Sequence, residues 1–293
     1  RINSNPDFDA VANYSGITKW AGQINQTDRI SEFLRRAHTF LRSERGAPVL
    51  LEVPSDVAME EIAGIDSHYR PVKAYKSAGN PSDIRKIAKL LLSSKRPVIY
   101  AGQGVLWAEA TDQLVALAEL IDAPVATTNS GKSAFPENHP LSLGAAGNTV
   151  TKMARHFVDE ADLIFGIGSS FTTNLASMNI PEGKTLVQTT IDAKDLNKEH
   201  DLDHAVIGDC QLVLNQLIEE ITLQSSDIGR EDSGIVAEVA KVKNEWLEEW
   251  LPLLTSEEIP INPYRIIWDL MHTVDLDNTV VTHDSGHPRD QLI

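Results

Sequence analysis

The sequence contains a single cysteine, Cys210, so it cannot form an internal disulfide. A chain without disulfides is consistent with a reducing compartment, and we expect a cytoplasmic protein with this thiol buried and inert. No apolar stretch approaches the ~20 residues that a membrane-spanning helix needs. The longest, Leu163–Ile167, has the length of a strand, and no secretory signal pattern is present. These absences predict a protein without a membrane partner.

Basic residues are also scarce, since 26 Lys and Arg stand against 42 Asp and Glu, a formal net charge of −16. A surface with this charge repels phosphate backbones and anionic lipids, which disfavours nucleic acid as a partner. The nine histidines show no HExxH spacing, and a single cysteine excludes CxxC. We therefore predict no zinc site and no metal ligand in this chain.

The 293 residues are enough for about two domains of ~150 residues. Short apolar segments alternate with amphipathic segments of helical period, a pattern that is typical of parallel βαβ units. We predict an α/β fold with a central, doubly wound, Rossmann-like parallel sheet, flanked by partial α/β domains. Strands are predicted at 48–53, 97–102, 124–128, 162–168, 185–191 and 279–282, and helices at 27–45, 82–94, 109–121, 151–160, 210–221, 235–251 and 264–274.

Two segments without a sustained period, 54–79 and 223–234, interrupt this alternation and read as linkers. They divide the chain into 1–72, 73–225 and 226–293. These parts are predicted to be the end of one domain, a complete central domain, and a linker helix with the start of a third domain. The chain begins without methionine and ends where a new element would begin, so we expect a piece of a longer protein.

Glycines and hydroxyl residues follow several predicted strands, where the ligands of open α/β sheets bind. The pair Gly102 and Gly104 lacks the third glycine of the dinucleotide-binding fingerprint, because Trp107 occupies that position. A tight strand-to-helix turn explains the pair equally well. The segment 131–133 (GKS) resembles the end of a P-loop, but Thr127 stands where the first glycine is required. Neither segment is specific for a nucleotide by itself.

Two acidic residues also lie at element ends. Asp192 ends a predicted strand, a position at which a carboxylate commonly holds ribose hydroxyls, although a solvated aspartate is the alternative. Asp209 precedes a predicted helix, which it can cap. Together with the glycine loops, these residues make a nucleotide pocket a hypothesis.

Three longer segments carry a recognisable pattern: 101–104 (AGQG), 123–128 (APVATT) and 131–144 (GKSAFPENHPLSLG). In this order they resemble the central domain of thiamine-diphosphate-dependent enzymes, of the acetolactate synthase large-subunit type. Residues 16–19 and 48–57 resemble the end of the family's pyrimidine-binding domain. Residues 262–263 and 282–291 resemble the start of its diphosphate-binding domain, so the resemblance covers the chain across three domains.

The resemblance implies a fragment of a carboligase or decarboxylase that acts on 2-oxo acids, with thiamine diphosphate and Mg²⁺ as cofactors and a homodimer or homotetramer as the assembly. The family's activating glutamate and its GDG…N metal motif have no counterpart here, so no catalytic residue or metal ligand is implied and the fragment alone is expected to be inactive. Gly286 and His287 would contact the cofactor's diphosphate. Acetolactate synthases have Gln-His where this chain has His287-Pro288, which argues against an ordinary member.

The resemblance also implies a nucleotide site, because the family's central domain binds FAD, ADP or nothing. Ser170 stands where the family has the arginine of a Gly-Ala-Arg-Phe-Asp run, which weakens the prediction of FAD. A non-catalytic nucleotide-binding module and a structural scaffold therefore stay open as alternatives to the enzyme. The positions that match FAD-contacting residues are Gly102, Gly104, Thr127, Thr128, Gly147, Asp192 and Asp209.

Overall fold

The computed structural model describes residues 8–62, 69–147, 149–173, 177–224, 233–284 and 286. The chain divides into two compact units, Arg1–Ser77 and Ala78–Ile293. The boundary falls inside the segment that was predicted to be the first linker, while the division into three domains stays a prediction. No helix in the described part of the chain is long and apolar enough to cross a membrane.

The first unit contains two parallel strands, β1 (Trp20–Gln23) and β2 (Val49–Glu52), joined by helix α2 (Ile30–Arg42). The ring of Trp20 stacks on that of Phe40 of α2, with centroids 5.6 Å apart, which fixes the helix on the strands. The predicted helix at 27–45 begins with a 3₁₀ turn (Thr27–Arg29) before α2. The unit also has two short helices, α1 (Ala10–Tyr14) and α3 (Ser55–Ala58).

The second unit is built on a six-stranded parallel sheet with the strand order β5-β4-β3-β6-β7-β8. Counted from β3 as the first strand, this is the order 3-2-1-4-5-6 of doubly wound nucleotide-binding sheets. The predicted α/β fold with a doubly wound parallel sheet is therefore confirmed. The strands are β3 (Pro97–Ala101), β4 (Val125–Thr127), β5 (Ser142–Ala145), β6 (Leu163–Ile167), β7 (Thr185–Thr190) and β8 (His204–Ile207).

Three helices of the second unit begin at capping residues that the sequence supplies. Asn80, Thr151 and Asn262 each accept a backbone N–H of the first helical turn, and proline follows two of them. Cys210, at the start of α8, is buried as expected. The helices are α4 (Pro81–Ser93), α5 (Gln103–Trp107), α6 (Thr111–Ile121), α7 (Lys152–Glu160), α8 (Cys210–Gln224), α9 (Ile235–Leu254) and α10 (Pro263–Thr273).

The core lies on both faces of the sheet, and every residue of β3 and β6 is buried. These two central strands are continuous apolar runs, as expected of a parallel sheet that helices cover on both sides. The outer strands β5 and β8 were not predicted, because the edge position lets β8 carry His204 and other partly exposed residues. The predicted strand at 279–282 is wrong: the segment pairs with no described strand, and Val280 is exposed.

Candidate nucleotide site at the carboxyl edge of the sheet

All six parallel strands end along one side of the sheet, which we call the carboxyl edge. Ligands of doubly wound folds bind outside this edge, at the point where the strand order reverses. Here that point lies between β3 and β6. The structure brings the seven predicted nucleotide-site residues to this edge: Gly102 and Gly104 follow β3, Thr127 and Thr128 close β4, and Gly147, Asp192 and Asp209 follow β5, β7 and β8.

At the reversal point, the loops after β3 and β6 touch through their backbones. The amide of Gly102 donates to the Ile167 carbonyl at 2.9 Å, and the amide of Gly104 donates to the Gly168 carbonyl at 3.0 Å. A Cβ on Gly102 would lie 2.3 Å from the Gly168 oxygen, and one on Gly104 would lie 2.7 Å from the Gly168 Cα. This contact between the loops therefore requires glycine at both positions, which favours the interpretation of the pair as a tight strand-to-helix turn. Both amides are already hydrogen-bonded, so neither is available to a phosphate.

The loop after β4 is also closely packed. The Thr128 hydroxyl accepts the Gly131 amide at 2.9 Å, which caps the 3₁₀ turn Asn129–Gly131. A Cβ on Gly131 would lie 2.7 Å from the Ala101 carbonyl oxygen, and one on Gly147 would lie 2.1 Å from Asn129 Oδ1. Glycine at both positions therefore lets the loops after β4 and β5 approach β3 and each other.

Two threonine hydroxyls near the carboxyl edge are buried without a hydrogen-bond partner among the described residues. They are Oγ1 of Thr127, which is 3% exposed, and Oγ1 of Thr189, which is fully buried. The register places Thr127, Ala101, Ile167 and Thr189 in one row across four strands. Buried polar groups normally have partners, so these two hydroxyls, like Oε1 of the buried Gln188 in β7, have unused hydrogen-bonding capacity among the described residues.

Both acidic residues of the predicted site cap a turn or a helix. The Asp192 carboxylate accepts the Lys194 amide at 3.0 Å, at the start of a 3₁₀ turn. The Asp209 carboxylate is buried and accepts the Leu212 amide at 3.3 Å, in the first turn of α8. The capping interpretation of Asp209 is confirmed, and contact of either carboxylate with ribose stays a prediction.

The loop after β6, where Ser170 replaces the family's arginine, has a lysine beside it. Lys198 donates to Thr172 Oγ1 at 2.7 Å, and its Nζ lies 3.9 Å from Asp195 Oδ1. Thr172 also shares a hydrogen bond of 2.8 Å with Ser170. This ammonium already has a carboxylate and a hydroxyl, and both glycine amides are taken, so none of these three donors is available to the diphosphate of FAD or ADP.

A buried aromatic pair supports the carboxyl edge from inside, and sequence reasoning did not find it. The rings of Tyr100 and Phe171 stack with centroids 6.1 Å apart, and Tyr100 donates to the Ala146 carbonyl at 2.8 Å. Burial raises the pKa of Tyr100 to about 12. Gly166, in the middle of β6, makes room for the Phe171 ring. A glycine inside an apolar strand was the available signal.

The segment 131–144, the longest part of the resemblance, forms the turn after β4 and ends inside β5 (Ser142–Ala145). Phe135 is fully buried and lies edge-on to the His139 ring at 4.9 Å. His139 Nδ1 accepts the Leu141 amide at 3.2 Å, so Nε2 carries the proton and donates to Glu119 at 3.2 Å. Residues of this segment therefore hold the turn between β4 and β5.

The predicted contact with thiamine diphosphate falls at the end of the described chain. Gly286 is exposed with φ of 98°, and no described residue lies within 4 Å of its Cβ position. His287 lies outside the described residues. The contact of either residue with the cofactor stays a prediction.

Comparisons with known proteins agree with this fold. Residues 84–217 match the family described as thiamine pyrophosphate enzyme, central domain. Two archaeal proteins named "Probable acetolactate synthase large subunit" are similar along 96% of the chain: that of Methanococcus aeolicus is 31% identical over 49% of its own length, and that of Methanocaldococcus jannaschii is 33% identical over 48%. The chain thus spans about half the length of these relatives.

A solved structure shows the same arrangement. The crystal structure of benzoylformate decarboxylase from Polynucleobacter necessarius superposes with a TM-score of 0.61 and 25% identity, over 74% of this chain and 42% of that one. The strand order of the sheet, the family match over residues 84–217 and the similarity to the two relatives all point to the same family. The chain belongs to the thiamine pyrophosphate enzyme family and carries its central domain, with acetolactate synthase large subunits among its relatives.

Proposed function

We propose that the whole protein is a thiamine-diphosphate-dependent carboligase or decarboxylase that acts on a 2-oxo acid. The observation that carries the proposal is the similarity to acetolactate synthase large subunits along 96% of the chain, on both sides of the central domain. Mg²⁺ as second cofactor, a homodimer or homotetramer, and a cytoplasmic location belong to the same proposal. When bound, thiamine diphosphate supplies the electron sink for the carbanion that decarboxylation leaves.

The residues of this chain have supporting roles in the proposal. The six-stranded sheet forms the central domain, and α9 and α10 lead from it towards Gly286. Gly286 offers its backbone without a side chain, and its neighbour His287 follows, so we place the diphosphate of the cofactor beside them. No described residue is assigned to proton transfer or to Mg²⁺.

The test has two arms. The whole protein, supplied with thiamine diphosphate and Mg²⁺, is expected to release carbon dioxide from at least one of pyruvate, glyoxylate and benzoylformate; no release from any of them would contradict the proposal. The 293-residue chain alone is expected to bind thiamine diphosphate no more tightly than about millimolar by calorimetry. Micromolar binding would show that the fragment already holds a complete cofactor site.

The alternative function is a nucleotide-binding module without catalysis. The position of all seven predicted nucleotide-site residues at the carboxyl edge favours this alternative. The used amides of Gly102 and Gly104 speak against it. FAD and ADP are titrated separately against the chain, with Asp192→Asn as a variant. We expect no binding tighter than about millimolar, whereas micromolar binding that Asp192→Asn weakens would establish the alternative.

A further inference from the structure

Helix α9 is anchored to the rest of the second unit through its first half. Its buried residues there are Ile235, Val239 and Val242, spaced so that they share one face, and beyond them only Leu254 of this helix is buried. Helix α7 packs against α9. The apolar contact that holds a 20-residue helix is therefore short, and polar contacts beside it have a large share in fixing its direction.

One carboxylate of α9 joins two other elements. Glu238 Oε1 accepts a hydrogen bond of 2.8 Å from Arg96 Nη2 and lies 2.7 Å from His156 Nε2 of α7. Arg96 directly precedes β3, and its Nη2 also lies 2.9 Å from Glu160 Oε2. Its guanidinium lies over the Phe157 ring at 5.7 Å. Glu238 thereby connects α9 to the start of the central strand and to α7 at once.

The groups of this cluster are partly shielded from water. The side chains of Arg96, His156 and Glu238 are 33%, 31% and 28% exposed, so their attraction is screened less than that of surface pairs. The other ion pair between α7 and α9 joins Lys152 to Glu249 at 3.2 Å, with 42% and 63% exposure. A pair so exposed adds little stability. The start of α9 is also attached by Ser233, whose hydroxyl donates to Asp122 Oδ2 at the end of α6, so Glu238 is the main polar attachment of α9 to α7 and to the start of β3.

The second half of α9 carries α10. The Trp250 ring lies edge-on to that of Tyr264 of α10 at 4.9 Å, and Trp246 stacks on Trp250 at 6.1 Å. The direction of α9 at Glu238 therefore decides where α10 lies relative to the sheet.

A metal ion is the other occupant to consider, because ligand atoms of His156, Glu160 and Glu238 lie within 4.8 Å of one another. Arg96 Nη2 already donates to Glu238 at 2.8 Å and lies 2.9 Å from Glu160 Oε2. A second cation there would be repelled at close range, so the guanidinium takes the place that a metal would need.

We propose that Glu238 is a positioning residue, whose shared contacts with Arg96 and His156 latch α9 to the sheet and so orient α10. The latch belongs to this chain and does not require any ligand. Its consequence for the whole protein, which is to place the segment that leads to the predicted diphosphate contact at Gly286, rests on the proposed function.

The test is hydrogen exchange on the full 293-residue chain, with Glu238→Gln against the matched control Glu249→Gln on the same helix. Loss of a hydrogen-bonded charge pair is expected to speed exchange in α9 and α10 about tenfold, while β3 and β6 stay protected and show that the sheet is folded. The control is expected to change exchange less than about twofold. Equal exchange in the two variants would overturn the latch.

A double-mutant cycle separates a latch from a general loss of packing. Arg96→Met and Glu238→Gln both remove the contact between these two side chains, so in the double variant their effects on exchange in α9 are expected to be clearly smaller than the sum of the single effects. Glu238 keeps its contact with His156 in Arg96→Met. Fully additive effects would contradict the proposal. Neither result depends on cofactor binding, so failure of the proposed function and failure of the latch are distinguishable.

Discussion

The amide of Gly104 donates a hydrogen bond of 3.0 Å to the carbonyl oxygen of Gly168, joining the loops that follow β3 and β6. The strand order of the sheet reverses between these two strands, which is where doubly wound folds usually leave a crevice for their ligand. In this protein the two loops meet there, because glycine on both sides lets their backbones come into contact.

Gly104→Ala is expected to destabilise the second unit by about 1 to 3 kcal/mol. The new Cβ would lie 2.7 Å from the Cα of Gly168, which is backbone and cannot turn away. Gly104 lies inside helix α5, where alanine is intrinsically more stable than glycine by up to about 1 kcal/mol. The measured change is therefore the cost of the clash minus this gain. Urea unfolding measures it, and Gly16→Ala, which meets open space, is the control. A loss no larger than in the control would show that the loops can separate freely.

Gly166→Ala and Phe171→Leu are expected to be coupled. A Cβ on Gly166 would lie 2.4 Å from Phe171 Cζ, so alanine is expected to cost about 1 to 3 kcal/mol when phenylalanine is present. In the Phe171→Leu background the shorter side chain relieves the contact, and the cost is expected to fall by at least about 1 kcal/mol. The free energies of unfolding of the four proteins give the coupling, and strict additivity would disprove it.

Tyr100 is expected to make the protein less stable at alkaline pH. Burial raises its pKa from 10.0 to about 12, so its contribution is fully present below pH 10 and is lost as the pH rises towards 12. Tyr100→Phe removes the donor to the Ala146 carbonyl and is expected to cost about 1 kcal/mol at neutral pH. In this variant the free energy of unfolding should also fall less between pH 10 and pH 12. Tyr75→Phe, at an exposed position, should change neither quantity.

Glu238 is expected to make the second unit less stable in acid. The hydrogen bond from Arg96 holds the pKa of this carboxyl below its ordinary value of 4.5. A lowered pKa gives stability that is present above the unfolded-state value and is lost as the pH falls through the folded-state value. The difference in urea midpoint between pH 7 and acid is therefore expected to be smaller in Glu238→Gln, whereas Glu249→Gln should keep the wild-type difference.

The buried strands and the longer helices could be predicted from the sequence. The strands β3 and β6 agree with their predictions to within one residue at each end, because strands covered on both faces must be continuously apolar. The edge strands β5 and β8 escaped prediction, since pairing on one side and partial exposure allow Ser142 and His204 in them. The segment 279–282 has strand-like residues, but a strand needs a partner that local composition cannot supply.

The candidate site was also only partly predictable from the sequence. That Gly102, Thr127, Asp192 and their companions would lie together follows from the sequence alone, because residues after parallel strands share an edge. Which of their hydrogen-bonding groups would be used up inside the protein could not be predicted. Partners such as Gly168 for Gly104, Thr172 for Lys198 and Arg96 for Glu238 are distant in sequence.

The sequence by itself determined the α/β class, the parallel sheet, and a family whose identifying pattern is the loop between β4 and β5, since each depends on local period and composition. The tertiary structure alone decided that the glycines at the reversal point bind each other's backbone, and that one carboxylate ties α9 to the central strand. Both are contacts between segments far apart in the chain, set by how closely two backbones or two charges can approach after folding.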